Sequence, residues 1–202
     1  MNYLAIDTSG KNLTVIIKKG DQIYKTHDLE CGVNHSVELM PKVEELALKA
    51  KFDLKDADFF ACVVGAGSFT GIRIGVATVK AMCFAYKKPS LSITSFDTIA
   101  YNKIGDKVLA IIDAKHNGFY VCGYNGGEVV YPPAYLMRDK LEQIVKDYKV
   151  LSFAPVEGFD VEVVSVADGL INAIENKLNE ISFDAQNLNP LYVRKSQAEE
   201  GR

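Results

Sequence analysis

The chain has 202 residues, of which 48% are hydrophobic, and its formal net charge is −3. This length and composition allow one domain, or two small ones, with a hydrophobic core. The negative net charge does not favour nucleic-acid binding by the chain alone, since such binding normally needs a basic face. The sequence begins with no secretory signal and contains no apolar run of about 18 residues, the length of a membrane helix. The four cysteines are dispersed, as is typical of a reducing compartment, so we expect a soluble, cytoplasmic protein without membrane association.

Three short strands joined by tight turns are the first predicted elements, within residues 4–24. The first strand ends at Asp7, and Thr8 and Ser9 follow it. Asp7, Thr8 and Ser9 are weak candidates for binding a phosphate or a cation. A turn held by Asx-type hydrogen bonds explains the same residues at least as well, so both interpretations stay open.

A helix is predicted next, at residues 36–51, because apolar residues recur there at spacings of three and four. Asn34 and Ser36 are candidate N-caps, and Pro41 should either kink the helix or delay its start. The apolar stripe should pack on the chain's own sheet, or form half of a four-helix bundle across a dimer together with the following helix. Its members are Val37, Met40, Val43, Leu46, Ala47 and Ala50.

A glycine-rich loop at residues 65–75 separates a predicted buried strand, residues 59–64, from a predicted helix, residues 70–86. Strand, glycine loop and helix is the usual layout of a phosphate cradle, since the free N–H groups at a helix start attract anions. A Walker loop, however, needs Gly-Lys followed by Ser or Thr, and Ile72 follows Gly71 here. A dinucleotide fingerprint needs a third glycine where Thr70 stands. The motif therefore argues against both simple nucleotide interpretations.

The helix after this loop is apolar almost all round, with only Arg73, Thr78 and Lys80 to face water. A surface helix should carry one polar face, so this one is predicted to be covered on two sides, by its own sheet and by a partner. Small residues one turn apart would let a partner helix approach, and a bulky change there should block binding without unfolding the chain. The predicted partner interface is Met40, Val43, Leu46, Gly71, Ile72, Arg73, Gly75, Val76, Val79 and Cys83.

The N-terminal segment is repeated without a gap at an offset of 106 residues, which aligns Asp7 with Asp113 and Gly20 with Gly126. Such a repeat predicts two related halves, each a three-strand meander followed by alternating helices and strands. The fold class is therefore α/β, a duplicated actin-like ATPase (ASKHA, ribonuclease H-like) fold with two β-β-β-α-β-α-type halves. The predicted halves are 1–104, with the dimerisation helices, and a shorter, abbreviated half at 105–202.

Five segments of the chain resemble the TsaB (YeaZ) family and occur in the family's order. Two differences stand out, namely Ala66, where the family usually has proline, and a second half shorter than usual. The segments are Ala5-Ile6-Asp7-Thr8-Ser9, Asn34-His35-Ser36 through Leu39-Met40-Pro41, residues 65–75, Ile112-Asp113-Ala114, and Leu191-Tyr192-Val193-Arg194.

The resemblance implies a non-catalytic partner subunit in the biosynthesis of tRNA threonylcarbamoyladenosine. The family's catalytic paralogue, TsaD, binds ATP and a metal and modifies the adenosine next to the anticodon. A small ATPase, TsaE, completes the system. TsaB-like chains pair with TsaD, or with themselves, through helices of the N-terminal half. The resemblance thus implies no catalytic residue, cofactor or metal in this chain, and tRNA contact only through the complex.

The residues agree with a loss of catalysis. His35 stands alone on its predicted helix, and His27 and His116 lie on other elements, whereas a helical metal site needs paired histidines. The side chains after Asp113 would crowd a phosphate. The alternative function is a small ATPase or kinase that acts alone and depends on Asp7 and Asp113. The sequence does not support a peptidase, because it shows no nucleophile with a paired base. Near the C-terminus, Arg194 and Lys195 are candidate tRNA contacts within a complex.

Overall fold

The chain forms two compact units, described here from a computed structural model that covers residues 1–28 and 34–194. The first unit is Met1–Thr94 with Ile174–Leu191, and the second is Ser95–Ala173 with the C-terminal residues from Tyr192. The chain therefore divides at 94/95 and not at the predicted 104/105, and residues 174–191 return to the first unit. Cys31 and Lys195 lie outside the described residues.

The first unit is a five-stranded sheet in the order β3-β2-β1-β4-β5. The first three strands form the predicted antiparallel meander, and β4 and β5 run parallel to β1. Helix α1 packs on β2 and β3, and α2 packs on β4 and β1. The bounds are β1 (Asn2–Asp7), β2 (Leu13–Lys19), β3 (Gln22–Asp28), β4 (Phe59–Val63), β5 (Ser90–Ile93), α1 (His35–Ala50) and α2 (Phe69–Tyr86).

The two long helices begin in different ways. Asn34 occupies the N-cap position of α1 but makes no side-chain cap hydrogen bond. Because α1 begins at His35, Pro41 lies inside the helix and does not delay its start. Helix α2 is capped by Ser68, whose side chain accepts a hydrogen bond from the Gly71 N–H at 3.2 Å. This cap satisfies one of the free donors that every helix start presents.

The second unit repeats the plan with a sheet in the order β10-β9-β6-β7-β8. It also has five strands, so the abbreviation lies in its helices, as α4 has 7 residues where α1 has 16. Helix α3 packs on β6, β7 and β9, and for this reason the unit begins before residue 104. The bounds are β6 (Lys107–Asp113), β7 (Gly118–Asn125), β8 (Glu128–Met137), β9 (Lys149–Ser152), β10 (Glu162–Val163), α3 (Ser95–Ala100), α4 (Arg138–Ile144) and α5 (Val166–Asn176), of which residues 174–176 belong to the first unit.

The two hairpins whose first strand ends in aspartate, β1–β2 and β6–β7, differ by one residue in register. Asp7 lies opposite Thr14, and an ungapped alignment would put Asp113 opposite Tyr120. Asp113 lies opposite Phe119 instead, so the second connection is one residue shorter. Its residues Lys115, His116 and Asn117 all take left-handed backbone conformations, which tighten the turn.

Each unit has its own hydrophobic core. In the first, α1 and α2 enclose the inward face of the sheet, and in the second a smaller cluster forms around Leu109, Phe119 and Leu141. Cys62, Cys83 and Cys122 are buried free thiols, and burial raises the pKa of Cys83 to about 11. No helix in the described part of the chain is long and apolar enough to span a membrane.

Candidate functional site

The glycine-rich loop closes on the end of strand β1. The Ser9 N–H donates to Asp7 Oδ1 at 2.8 Å, which is the Asx-type turn given above as one of two interpretations. The Ser68 N–H donates to the Ser9 carbonyl at 2.7 Å, and the Thr8 hydroxyl donates to the Gly71 carbonyl at 2.7 Å. The loop is thus bonded to residues 7–9 of its own chain.

Three glycines make this close approach possible. A Cβ at Gly67 would overlap the Ser9 carbonyl oxygen, and one at Gly71 would overlap the Thr8 carbonyl oxygen. A Cβ at Gly75 would lie 2.5 Å from Thr8 Oγ1. Gly71 and Gly75 therefore face the end of β1, and not a neighbouring helix as predicted. Thr8 and Ser9 therefore fill the space beside these three glycines.

Asp7 is a buried acid, with 4% of its surface exposed. Burial raises the pKa of its carboxyl group, and the hydrogen bonds from Ser9 and the nearby His27 and His35 offset only part of that rise. The charged form of Asp7 is therefore disfavoured in the folded chain.

Folding brings together two histidines that the sequence analysis treated as remote. The pairing of β2 with β3 sets Thr14 opposite His27, and Thr14 Oγ1 lies 2.7 Å from His27 Nδ1. His35 Nε2 lies 3.2 Å from the Asn12 carbonyl oxygen, and the Asn12 side chain lies 3.3 Å from His27 Nε2. Only the strand register could have revealed this cluster. Among the described residues, no group of three or more His, Cys, Asp or Glu side chains is arranged to hold a metal ion.

Most of the predicted interface residues are core residues of the first unit. Of the ten, Met40 and Arg73 are exposed, and the Arg73 guanidinium lies 6.0 Å from the centre of the Phe69 ring. A bulky side chain at Gly75 or a charge at Val76 would therefore disrupt the fold itself, contrary to the expectation above. The eight buried residues are Val43, Leu46, Gly71, Ile72, Gly75, Val76, Val79 and Cys83.

The outward faces of the same helices carry large exposed apolar side chains. On α1 these are Val37, Met40 and Leu48, of which Leu48 is 73% exposed, and on α2 the most exposed is Phe84, at 88%. Helices α1 and α2 contact each other, so both stripes belong to one helical layer. We call these four side chains the outer stripe. Of these four, only Met40 was among the predicted interface residues. Val37 was placed with it in the apolar stripe of the first helix, and Leu48 and Phe84 were not predicted as interface.

The aspartate of the second hairpin has different surroundings. The Asp113 side chain is 46% exposed and forms an ion pair with Lys115 at 2.7 Å. Partial burial raises the pKa of Asp113, but hydrogen bonds from Lys115 and the charges of Lys115 and Arg138 outweigh it, so the pKa is lowered. In the folded chain the charged form is therefore disfavoured for Asp7 and favoured for Asp113.

The fold defines a duplicated α/β chain of the actin-like (ASKHA) class, with a meander and a mixed sheet in each unit. A solved structure, YeaZ from Pseudomonas aeruginosa, superposes with a TM-score of 0.78 at 21% identity, over 95% of this chain and 99% of that one. A family model described as "TsaD: tRNA N6-adenosine threonylcarbamoyltransferase" matches residues 29–187.

Curated relatives narrow the family. The chain is 31% identical to the tRNA threonylcarbamoyladenosine biosynthesis protein TsaB of Buchnera aphidicola, over 73% of this chain and 70% of the relative. It is 29% identical to TsaB of Bacillus subtilis, over 75% of this chain and 62% of the relative, less than two thirds of that protein's length. The chain belongs to the TsaB (YeaZ) family.

Proposed function

We propose that this chain takes part in forming threonylcarbamoyladenosine in tRNA, as a non-catalytic subunit that binds and activates a TsaD-like transferase. The observation that carries the proposal is the outer stripe of α1 and α2, in a chain similar to TsaB proteins along most of its length. Large apolar side chains exposed together on one layer are typical of a protein contact surface.

Phe84 is the expected anchor of this contact. Aromatic side chains supply much of the binding free energy at protein interfaces, and Phe84 is the most exposed large apolar side chain of the first unit. The alanines at positions 77 and 81 lie on the same face of α2 and are also exposed. Small residues there let a partner helix come close.

The rest of the proposed assembly follows from the same family. A TsaE-like ATPase completes it, ATP and the metal are held by the TsaD-like subunit, and tRNA is bound by the complex and not by this chain alone. In isolation the chain pairs with a second copy through the outer stripe. Because both associations use one surface, the TsaD-like subunit should displace the second copy. The cytoplasm is the expected compartment.

The experiment compares two matched variants, Phe84→Glu and Phe183→Glu. Both phenylalanines are almost fully exposed, at 88% and 86%, but Phe183 lies outside α1 and α2. Light scattering after size exclusion, with and without the TsaD-like subunit, measures complex formation, and modified adenosine in tRNA measures activity. Phe84→Glu should weaken the complex at least about tenfold, since interface anchors contribute about 2 kcal/mol or more. Normal complex formation by Phe84→Glu would contradict the proposal.

The alternative, an ATPase or kinase acting alone, predicts ATP turnover by the isolated chain that depends on Asp7 and Asp113. The residues of the first hairpin do not favour it, because the glycine loop bonds to Thr8 and Ser9. Turnover by the purified chain that is lost in Asp7→Asn and Asp113→Asn would establish the alternative in place of the proposed role.

A further inference from the structure

A polar pocket of about 310 Å³ lies in the second unit, on the side of the sheet where β6 and β9 end. The two strands are parallel neighbours, and the pocket is lined by Asp113 at the end of β6 and by Val156 and Glu157 after the end of β9. Ligands of α/β proteins commonly bind just beyond the carboxyl ends of parallel strands. The place in the fold therefore favours a binding site.

Arg138, another lining residue, is held in a fixed position. Its guanidinium carbon lies 5.6 Å from the centre of the Phe119 ring and 5.1 Å from that of the Phe159 ring. Nη1 donates to the Glu157 carbonyl oxygen at 3.0 Å, the only hydrogen bond that the guanidinium makes to a described residue. A guanidinium has five N–H donors, so the other four make no hydrogen bond to a described residue.

The hairpin after β6 forms the opposite wall. Lys115 pairs with Asp113 at 2.7 Å, and each offsets the other's charge. His116 and Asn117 also line the pocket, and their side chains make no hydrogen bond to any described residue. Both stand in the left-handed region, with φ of 53° and 60°.

From these contacts we infer that the pocket binds a small oxyanion, a carboxylate or a single phosphate group, with Arg138 as its main ligand and His116 and Asn117 as further hydrogen-bond donors. The side chains after Asp113 thus line a space for one such group, contrary to the expectation that they would crowd a phosphate. A planar guanidinium with unused donors matches the two oxygens of such a group. The Glu157 carboxylate, which also lines the pocket, repels any anion, and does so more strongly as the charge of the anion increases. The site therefore selects a low-charge group over a polyphosphate.

The test is an NMR titration of the ¹⁵N-labelled full chain at constant ionic strength, with inorganic phosphate, acetate and ATP–Mg²⁺ as separate probes. Saturable shifts at the amides of residues 115–118 and 138 are expected with phosphate or acetate, and the two probes distinguish a phosphate site from a carboxylate site. Shifts that do not saturate with either probe would overturn the inference. Tighter binding of ATP–Mg²⁺ than of phosphate would also overturn it.

Two pairs of variants control the titration. Arg138→Gln should bind the anion at least about tenfold more weakly, while Arg194→Gln, which removes another arginine that lies over a ring, Tyr135, should not change binding. Because Arg138 also packs against two rings, Asn117→Asp gives a second test at an exposed position where aspartate tolerates positive φ. It should weaken binding by a similar factor, because its carboxylate repels the anion, and Asn117→Gly, which only removes a donor, should weaken binding less. Equal affinity of Asn117→Asp and the unaltered chain would contradict the site.

Discussion

At Gly71, a hydrogen atom in place of a side chain lets the first turn of α2 lie against the carbonyl group of Thr8. The obstacle to any larger residue is backbone, at the end of a buried strand, so relief requires a shift of the whole turn. The same close approach brings the Thr8 hydroxyl within hydrogen-bonding distance of the Gly71 carbonyl oxygen, to which it donates. One position thus couples the glycine loop to the sheet.

Gly71→Ala should therefore destabilise the chain by about 1–3 kcal/mol, the usual cost of overpacking. Because 1 kcal/mol corresponds to about 2–4 °C for a chain of this size, thermal unfolding will detect the change. Gly10→Ala is the matched control, since a Cβ there meets nothing within 4 Å. Equal melting temperatures for the two variants would contradict the contact.

Asp7 predicts a dependence of stability on pH. Its pKa is raised in the folded chain, chiefly by burial, so the stability that Asp7 contributes is fully present below its unfolded pKa and is lost as pH rises through the folded pKa. Asp7→Asn removes this loss and keeps an oxygen that accepts the Ser9 N–H. The variant should melt higher than the unaltered chain at neutral pH, because it carries no charge that burial disfavours.

The difference in melting temperature should shrink as the pH falls towards the ordinary pKa of aspartate. Asp113→Asn provides a control of opposite sign, because the pKa of Asp113 is lowered, with Lys115 outweighing partial burial. Its ion pair contributes stability above the unfolded pKa, so this variant should melt slightly lower at neutral pH. A lower melting temperature for Asp7→Asn at neutral pH would contradict the assignment of Asp7.

The helices and strands themselves were largely predictable, because their periodicities are local properties of the sequence. The repeat that aligns Asp7 with Asp113 predicted both meanders. It did not predict the bulges in the pairing of β7 with β8 or the turn after Asp113, which is one residue shorter, because an ungapped alignment contains no backbone geometry. The neighbour on which a helix packs is not a local property. Helix α3 follows β5 directly but packs on the second sheet, so the predicted boundary was misplaced.

The face of α2 that meets the sheet was harder to predict than the helix. Counted as apolar, its alanines suggested a helix covered on two sides, by its own sheet and by a partner, whereas Ala77, Ala81 and Ala85 are exposed. Alanine buries too little area to favour the interior strongly, so it does not mark an inward face. Gly71 and Gly75 were misassigned for a different reason. Their small size suggested close contact with a partner helix, whereas they face the end of β1 in the same chain.

At the scale of the whole molecule, a C-terminal segment completes the first unit. Residues 182 and 90 exchange two backbone hydrogen bonds, and the Leu191 N–H donates to the Val64 carbonyl at 2.7 Å. Glu175 pairs with Lys18 of β2. Leu188 is fully buried in the core formed by α1, α2 and the sheet. The first unit therefore depends on residues that are distant in sequence.

Leu188→Ala tests this dependence. Loss of a buried leucine costs about 2–5 kcal/mol, so the melting temperature should fall by several degrees, and amide hydrogen exchange should rise in β1 and β4, whose residues share the core with Leu188. Phe183→Ala, in the same segment but at a side chain that is 86% exposed, is the control and should leave both measurements unchanged. If Leu188→Ala behaves like Phe183→Ala, residues 174–191 cover the first unit without stabilising it. A selective rise in amide hydrogen exchange in the Leu188→Ala variant means instead that truncation before residue 188 would expose the hydrophobic core that α2 covers.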